Sequence, residues 1–291
     1  MKYSLFFILL LFFSGGNRPK PAYQIFTGDK AKHTDFDKMM KGLKDADVIF
    51  FGESHNNSIC HWLQLQVLKS LGETTGKDVI VGAEMFEADD QLVLNEYLND
   101  IIKEEHLKKE AKVWDNYKTD YAPLVEYAKA NELPFIATNI PRRYANLVAR
   151  NGLESLNDLD EKAKEYMVAL PIEVDHELSS YQEMAGMMVG HMGHGNVDTE
   201  NMVNSQAIKD ATMAYFIHRN LSDGSVFFHI NGSFHTKNHE GIVYYLQKSK
   251  PELRVVTITV VDQDDISELM KDNQGLADYV IAIPSDMTKT Y

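Results

Sequence analysis

The sequence predicts an α/β fold: a mainly parallel sheet of about six strands flanked by helices, with a helical insertion covering the carboxyl ends of the strands. Three observations predict it. Short apolar runs alternate with segments of helical period, the order that lays parallel strands under covering helices. The interval of about 141–220 reads as helix and holds no strand. Three of the strands run out into turns that carry Glu and His.

Lys2 precedes an apolar run from Tyr3 to Phe13, and small residues Ser14, Gly15 and Gly16 follow, so residues 1–20 are expected to be a cleaved secretory signal. The run has eleven residues against the ~20 that a helix needs to span a bilayer, and no later stretch comes closer. The expectation is an exported chain, periplasmic or in the cell envelope, with no transmembrane helix after cleavage and with residues 21–291 folding as one domain. The only cysteine is Cys60, so there is no lipobox cysteine for a lipid anchor, no internal disulfide and no CxxCH covalent haem site.

Val48–Phe51 is the first expected strand. Trp62, Leu65, Leu68 and Leu71, widened by Leu63 and Val67, give the stripe of a helix packing on it, with Gly72 as its end. Val79–Val81 is the second strand, followed by helical material through Leu94, Leu98 and Ile101 and a helix from about Tyr121 to Ala130. Phe135–Thr138 is the third. Pro141 suits the first turn of a helix, where its missing N–H leaves nothing unpaired, and the insertion of about 141–220 begins there. Val226–Ile230, Arg254–Val261 and Tyr279–Ile283 complete the sheet, and the tail after Pro284 is expected to be peripheral.

Composition excludes several functions. The 43 acidic and 29 basic side chains give a formal charge of −14, a field that repels phosphate backbones, so nucleic acid is not an expected partner. No HExxH zincin motif, GxSxG elbow or GxxxxGK[ST] phosphate loop is present. Cys60 beside His61 reads as a buried, inert thiol rather than a nucleophile.

The chemistry is expected where strands end, because open α/β sheets bind ligands outside the carboxyl ends of their strands. The first strand runs into Gly52-Glu53-Ser54-His55, with His61 soon after; the second into Gly82-Ala83-Glu84-Met85-Phe86-Glu87; the third supplies Asn139; the fourth runs into Asn231-Gly232-Ser233-Phe234-His235. Glu53, His55, Glu84 and His235 would then face one pocket. Two carboxylates and two imidazoles suit a divalent metal such as Mn, Co, Zn or Fe, or general acid and base work around a water. Any one of them alone would more simply cap a helix or satisfy a loop; three separate turns delivering the same chemistry favour a site.

The GESH turn at 52–55 with His61 behind it, the EMFE segment at 84–87, Trp114 with Tyr117 and Tyr121, NIPRR at 139–143, DATMA at 210–214 and NGSFH at 231–235 together resemble the ChaN family. These are haem-binding lipoproteins of bacterial iron uptake. The likeness runs from about residue 46 to 283, and the missing lipoprotein cysteine is its one clear departure. The wider superfamily includes Tiki and TraB proteins and erythromycin esterases, some of them metal-dependent hydrolases, and its acidic and histidine positions fall on Glu53, His55, Glu84 and His235. The resemblance therefore implies noncovalent haem binding for haem and iron acquisition or, as the alternative, metal-dependent hydrolysis of an ester or peptide at those four residues. It admits a homodimer and an outer-membrane haem uptake system as partners.

An iron ligand is sought in the insertion. Its Met- and His-rich stretch holds Met188, His191 and His194, and His, Met and Tyr are all known axial ligands. Met184, Met187, Met188 and His191 also have the spacing of an ordinary buried helix face. Tyr117 and Tyr121 are equal candidates, although aromatic side chains most often fill cores. Arg142 and Arg143 are the candidates for pairing with haem propionates, because Arg matches carboxylates bidentately; both also suit a solvated helix.

Overall fold

Two short strands precede Val48–Phe51, the first strand that the sequence predicts. A computed structural model of the chain describes residues 20–191 and 198–291, without the side chains of 188–191. In it β1 (Gln24–Thr27) and β2 (His33–Thr34) pair antiparallel, and β1 pairs antiparallel with the last strand. They are followed by α1 (Phe36–Gly42), β3 (Val48–Glu53), α2 (Ser58–Thr75), β4 (Asp78–Glu87), α3 (Gln91–Leu98), α4 (Glu104–Glu110), a π-helical turn Tyr117–Tyr121, α5 (Ala122–Ala130) and β5 (Phe135–Asn139). Then come α6 (Arg142–Asn151), α7 (Glu161–Lys164), α8 (Ser179–His191), α9 (Thr199–Asn220), β6 (Ser225–Gly232), α10 (Ile242–Ser249), β7 (Val255–Gln263) and β8 (Tyr279–Pro284). The eight strands lie in the order β2-β1-β8-β7-β3-β6-β4-β5, and the six from β8 to β5 are all parallel.

Strand β3 shows why the sheet is covered on both sides. Successive side chains of a strand point to opposite faces. Ile49 and Phe51 join a core with Leu63, Val67 and Leu71 of α2, whereas Val48 and Phe50 pack with Met213 and Ile217 of α9 and Leu246 of α10. A strand buried on both faces reads as an unbroken apolar run rather than an alternating one, and VIFF is such a run. The chain leaves β3 for β4 and β5 on one side and for β7 and β8 on the other, with β6 beside it. This reversal of direction puts the carboxyl ends of β3, β4 and β6 around one crevice.

Four expectations are corrected in detail. Helix α2 runs through Gly72 and ends at Gly76, whose φ of 65° is the left-handed turn that closes a helix and that glycine adopts without steric cost. Trp62 is 49% exposed and Ile101 70%, so neither faces the core. The segment carrying Glu84 is the last part of β4 itself, not a turn after it; its pairing with β5 slips between Ala83 and Glu87. The interval of about 141–220 is not helix throughout, since 165–178 is turns and extended chain, and α9 is a helix packed on the sheet face with only its first half reaching the strand ends.

The outer edge of β5 is closed by one side chain. The Gln91 amide donates to Phe135 O at 2.9 Å and accepts from Ala137 N at 2.7 Å, as a neighbouring strand would. An open edge strand is a template for unwanted pairing, and this contact removes two of its free groups.

Candidate functional site

Glu53 is the last residue of β3 and is buried. Its Oε1 accepts from His55 Nδ1–H at 2.7 Å and from the Tyr121 hydroxyl at 2.7 Å, and its Oε2 accepts from the Gln64 amide at 2.5 Å. Four elements thus meet on one carboxylate. His61, one turn into α2, lies behind them: Nδ1 is 3.5 Å from Glu53 Oε2, and Nε2 lies 3.1 Å from His55 O and 3.4 Å from Asp120 Oδ2. Asn116 donates to both His55 O, at 3.0 Å, and Asp120 Oδ2, at 2.7 Å, which ties the π-helical turn to the β3 exit.

The second half of the site is built on β4, β6 and α9. Glu84 Oε2 accepts from Gly232 N–H at 2.7 Å, and its Oε1 lies 3.1 Å from His235 Nε2. His235 Nδ1 donates to Asp210, in the middle of α9, and the Tyr181 hydroxyl of α8 donates to the other oxygen of Asp210 at 2.7 Å. All four groups are buried. Burial alone would lower the His235 pKa, but the charges of Glu84 and Asp210 outweigh it and push it up to about 10. Burial would raise Glu84; the His235 charge and the Gly232 N–H hold it well below the usual carboxylate range instead. For Asp210 burial prevails, and its carboxyl is raised. Neighbouring His229 is driven down to about 4 by burial, and it stays neutral between the Thr138 hydroxyl at 2.8 Å and Asn231 Oδ1 at 3.0 Å.

The two halves face each other across Gly232. A Cβ added there would stand 2.8 Å from His55 Nε2 and 3.5 Å from Glu84 Oε2. The Glu53–His55 and Glu84–His235 pairs are thus neighbours at the strand ends, with Gly232 between them. His55 is the accessible member of the four, with 36% of its side chain exposed, and its ring packs edge-on against Trp114 at 5.0 Å. Its pKa is raised: burial works against the charge but is outweighed by the bond to Glu53 and by the charge of Glu84. Gly232→Ala is expected to displace the His55 imidazole while the fold persists, because the ring can swing toward solvent. The check is an NMR titration of the His55 ring, whose pKa should fall toward that of a free histidine, alongside an unfolding midpoint close to wild type.

Both ring nitrogens of His235 face carboxylates, Glu84 and Asp210, so this ring would have to give up one of those partners to ligate a divalent metal. Among the described residues the carboxylates that do converge are Glu87, Asp89 and Asp90, and the Lys112 ammonium already sits among them at 3.2, 3.1 and 2.9 Å.

The other expected residues are spread more widely. Tyr121 belongs to the site through Glu53, while Tyr117 is buried against Phe86 with its hydroxyl unpaired. Asn139 donates to Glu84 O at 3.0 Å. Arg143 pairs with Asp89 at 2.6 Å and stacks on Tyr144, which commits it to the protein, whereas Arg142 is exposed and lines a cavity of about 430 Å³ with Lys112, Val113, Trp114 and Asn116. A hollow of about 940 Å³ is larger, but it lies beside Met167 and the last turns of α9 and holds none of the clustered Glu and His side chains. His194 and the side chains of Met188 and His191 lie outside the described residues. Cys60 is buried, and burial together with the Glu53 charge raises its thiol well above the usual range. Sequence reasoning missed Asp210, Gln64, Asp120 and Tyr181 as parts of the cluster.

Fold and site define an α/β protein with paired carboxylates and imidazoles buried at the carboxyl ends of a parallel sheet. The chain belongs to the haem-binding uptake family of the Tiki superfamily typified by ChaN, which it matches over residues 39–246. Comparison with curated protein sequences gives no significant match. A solved structure described as cofacial haem binding to ChaN of Campylobacter jejuni is similar, with 18% identity, TM-score 0.68, and coverage of 89% of this chain and 96% of that one. An erythromycin esterase in its open conformation is similar at 11% identity and TM-score 0.51, covering 90% and 97%. At these identities both likenesses show the fold.

Proposed function

We propose that this chain is an exported haem-binding protein of haem and iron acquisition, holding haem noncovalently at the cavity beside His55. The observation that carries the reading is the family match over residues 39–246. Local chemistry supports it. The cavity of about 430 Å³ lies within the roughly 300–1,000 Å³ usual for ligand sites and joins Trp114 to an Arg142 guanidinium that has no ion-pair partner among the described residues. Haem, when bound, brings the iron to be delivered; the chain's own contribution is the Trp114 ring and the Arg142 cation for a carboxylate. Export rests on the segment 1–20, and the periplasm or cell envelope with an outer-membrane uptake system and a homodimer are the setting the family role suggests.

Haemin titration tests this reading. A saturable Soret shift at about one haem per chain is expected, and no shift at micromolar protein sinks it. Arg142→Ala is expected to weaken binding by about tenfold or more, since a hydrogen bond to a charged group contributes ~1.5–3 kcal/mol, while Arg143→Ala leaves affinity unchanged.

One observation favours a second reading, hydrolysis. Glu53 fixes Nδ1–H of His55 at 2.7 Å, and Nε2 of this accessible imidazole lies beside Gly232, as does Glu84 Oε2, an arrangement suited to a general base near a general acid. An ester and peptide turnover screen, with and without Mn, Co or Zn, tests it; turnover that survives both Glu53→Ala and His235→Ala would discard it.

A further inference from the structure

The last residues of the chain lie beyond the stretch that matches the family, yet they grip the turn that carries His55. Lys289 forms an antiparallel bridge with Asn57, and Thr290 N–H donates to Asn56 O at 2.9 Å. The Thr290 hydroxyl donates to Asp120 Oδ2 at 2.8 Å, and Asp120 is only 3% exposed. Lys289 Nζ pairs with Asp262 Oδ2 at 2.5 Å, while the other oxygen of Asp262 accepts from the Asn57 amide at 3.1 Å. Asn57 in turn caps α2 through Ile59 N and Cys60 N, both at 3.1 Å. The expected peripheral tail is thus a clamp on the β3 exit. It passes through Asp120 and His61 to Glu53, and a peripheral tail has no reason to meet a buried carboxylate.

The clamp has a second consequence. Tyr291 follows it directly and stands at the cavity that Trp114 and Arg142 line, with 70% of its surface exposed. A large aromatic ring left in water beside a cavity gains from being covered, and aromatic rings stack well on flat conjugated surfaces. A guanidinium next to such rings adds recognition of a carboxylate.

We propose that Lys289–Tyr291 is part of the ligand site: the strap fixes the His55 turn, and Tyr291 closes the cavity opposite Trp114, where a flat, conjugated, carboxylate-bearing ligand stacks. This rests on the haem reading and adds a wall that the family match does not contain. No iron bond is assigned to Tyr291, so its contribution should be the same for a porphyrin that lacks iron.

The test uses the full chain and two probes, haemin and metal-free protoporphyrin. Tyr291→Ala should raise the Kd for both by about tenfold, and Tyr291→Phe should leave both within about twofold of wild type. Thr290→Val should speed amide exchange at Asn56 and Asn57 and raise both Kd values, with the unfolding midpoint checking that each variant is folded. Unchanged affinity in Tyr291→Ala overturns the wall, as does a loss in Tyr291→Phe confined to haemin. Equal exchange in wild type and Thr290→Val overturns the clamp. Wild-type protein that binds neither probe sinks the haem reading itself, an outcome distinct from these.

Discussion

Glu84→Ala is expected to destabilise the protein by about 3–5 kcal/mol, the cost of leaving one partner of a buried ion pair without the other. The carboxylate neutralises His235 at 3.1 Å and accepts the Gly232 N–H at 2.7 Å, so its removal leaves a buried imidazolium half compensated and a buried donor unpaired. Glu84→Gln should cost less, because an amide oxygen still accepts from Gly232. Asp210 cannot take over, as it already accepts from His235 and Tyr181. Urea unfolding measures both variants. A loss under about 1 kcal/mol in Glu84→Ala would show that the cluster is not the tightly coupled unit described. The double variant Glu84→Ala with His235→Ala should recover part of the loss, since removing both charges removes the unpaired one.

What the sequence disclosed follows from where the relevant interactions lie along the chain. VIFF, VIV and VFFHI are short runs buried on two faces, so β3, β4 and β6 are legible locally, and the rule for parallel sheets then carries Glu53, Glu84 and His235 to one crevice. Strands β1 and β2, at four and two residues, are too short to show a pattern and exist because β1 completes the edge at β8. Asp210 sits on a helix between Ile208, Ala211 and Met213, and all of them are buried. A lone acid on an apolar helical face was its available signal, but the partner that explains it is 25 residues away in the chain. Gln64 and Tyr121 likewise gain meaning only through Glu53. The grip of Lys289 and Thr290 on the His55 turn has no local signature, because it depends on where β8 delivers the chain.

Stability should peak near pH 6.5 and fall on both sides, with His235 as the main cause of the alkaline fall. Its folded pKa of about 10 lies above the ordinary 6.5, so its contribution is complete below about 6.5 and is lost as pH rises through about 10. One proton bound in the native state and absent from the unfolded one gives a slope of up to about 1.4 kcal/mol per pH unit across that window. His55 and His239, also raised, add smaller slopes of the same sign. On the acid side Glu84, held low, stabilises above its ordinary range and loses that contribution as pH falls. His229, held down to about 4, resists the proton that the unfolded chain accepts below 6.5, which also favours unfolding in acid; raised Asp210 offsets part of this. Urea midpoints measured from pH 5 to 10 should therefore trace an asymmetric dome in the wild type. His235→Gln should start lower and remain nearly flat from pH 7 to 9, keeping only the slope of His55 and His239. A wild-type midpoint that is constant over that interval, or one that falls equally in His235→Gln, would mean that His235 is not held as an imidazolium between Glu84 and Asp210.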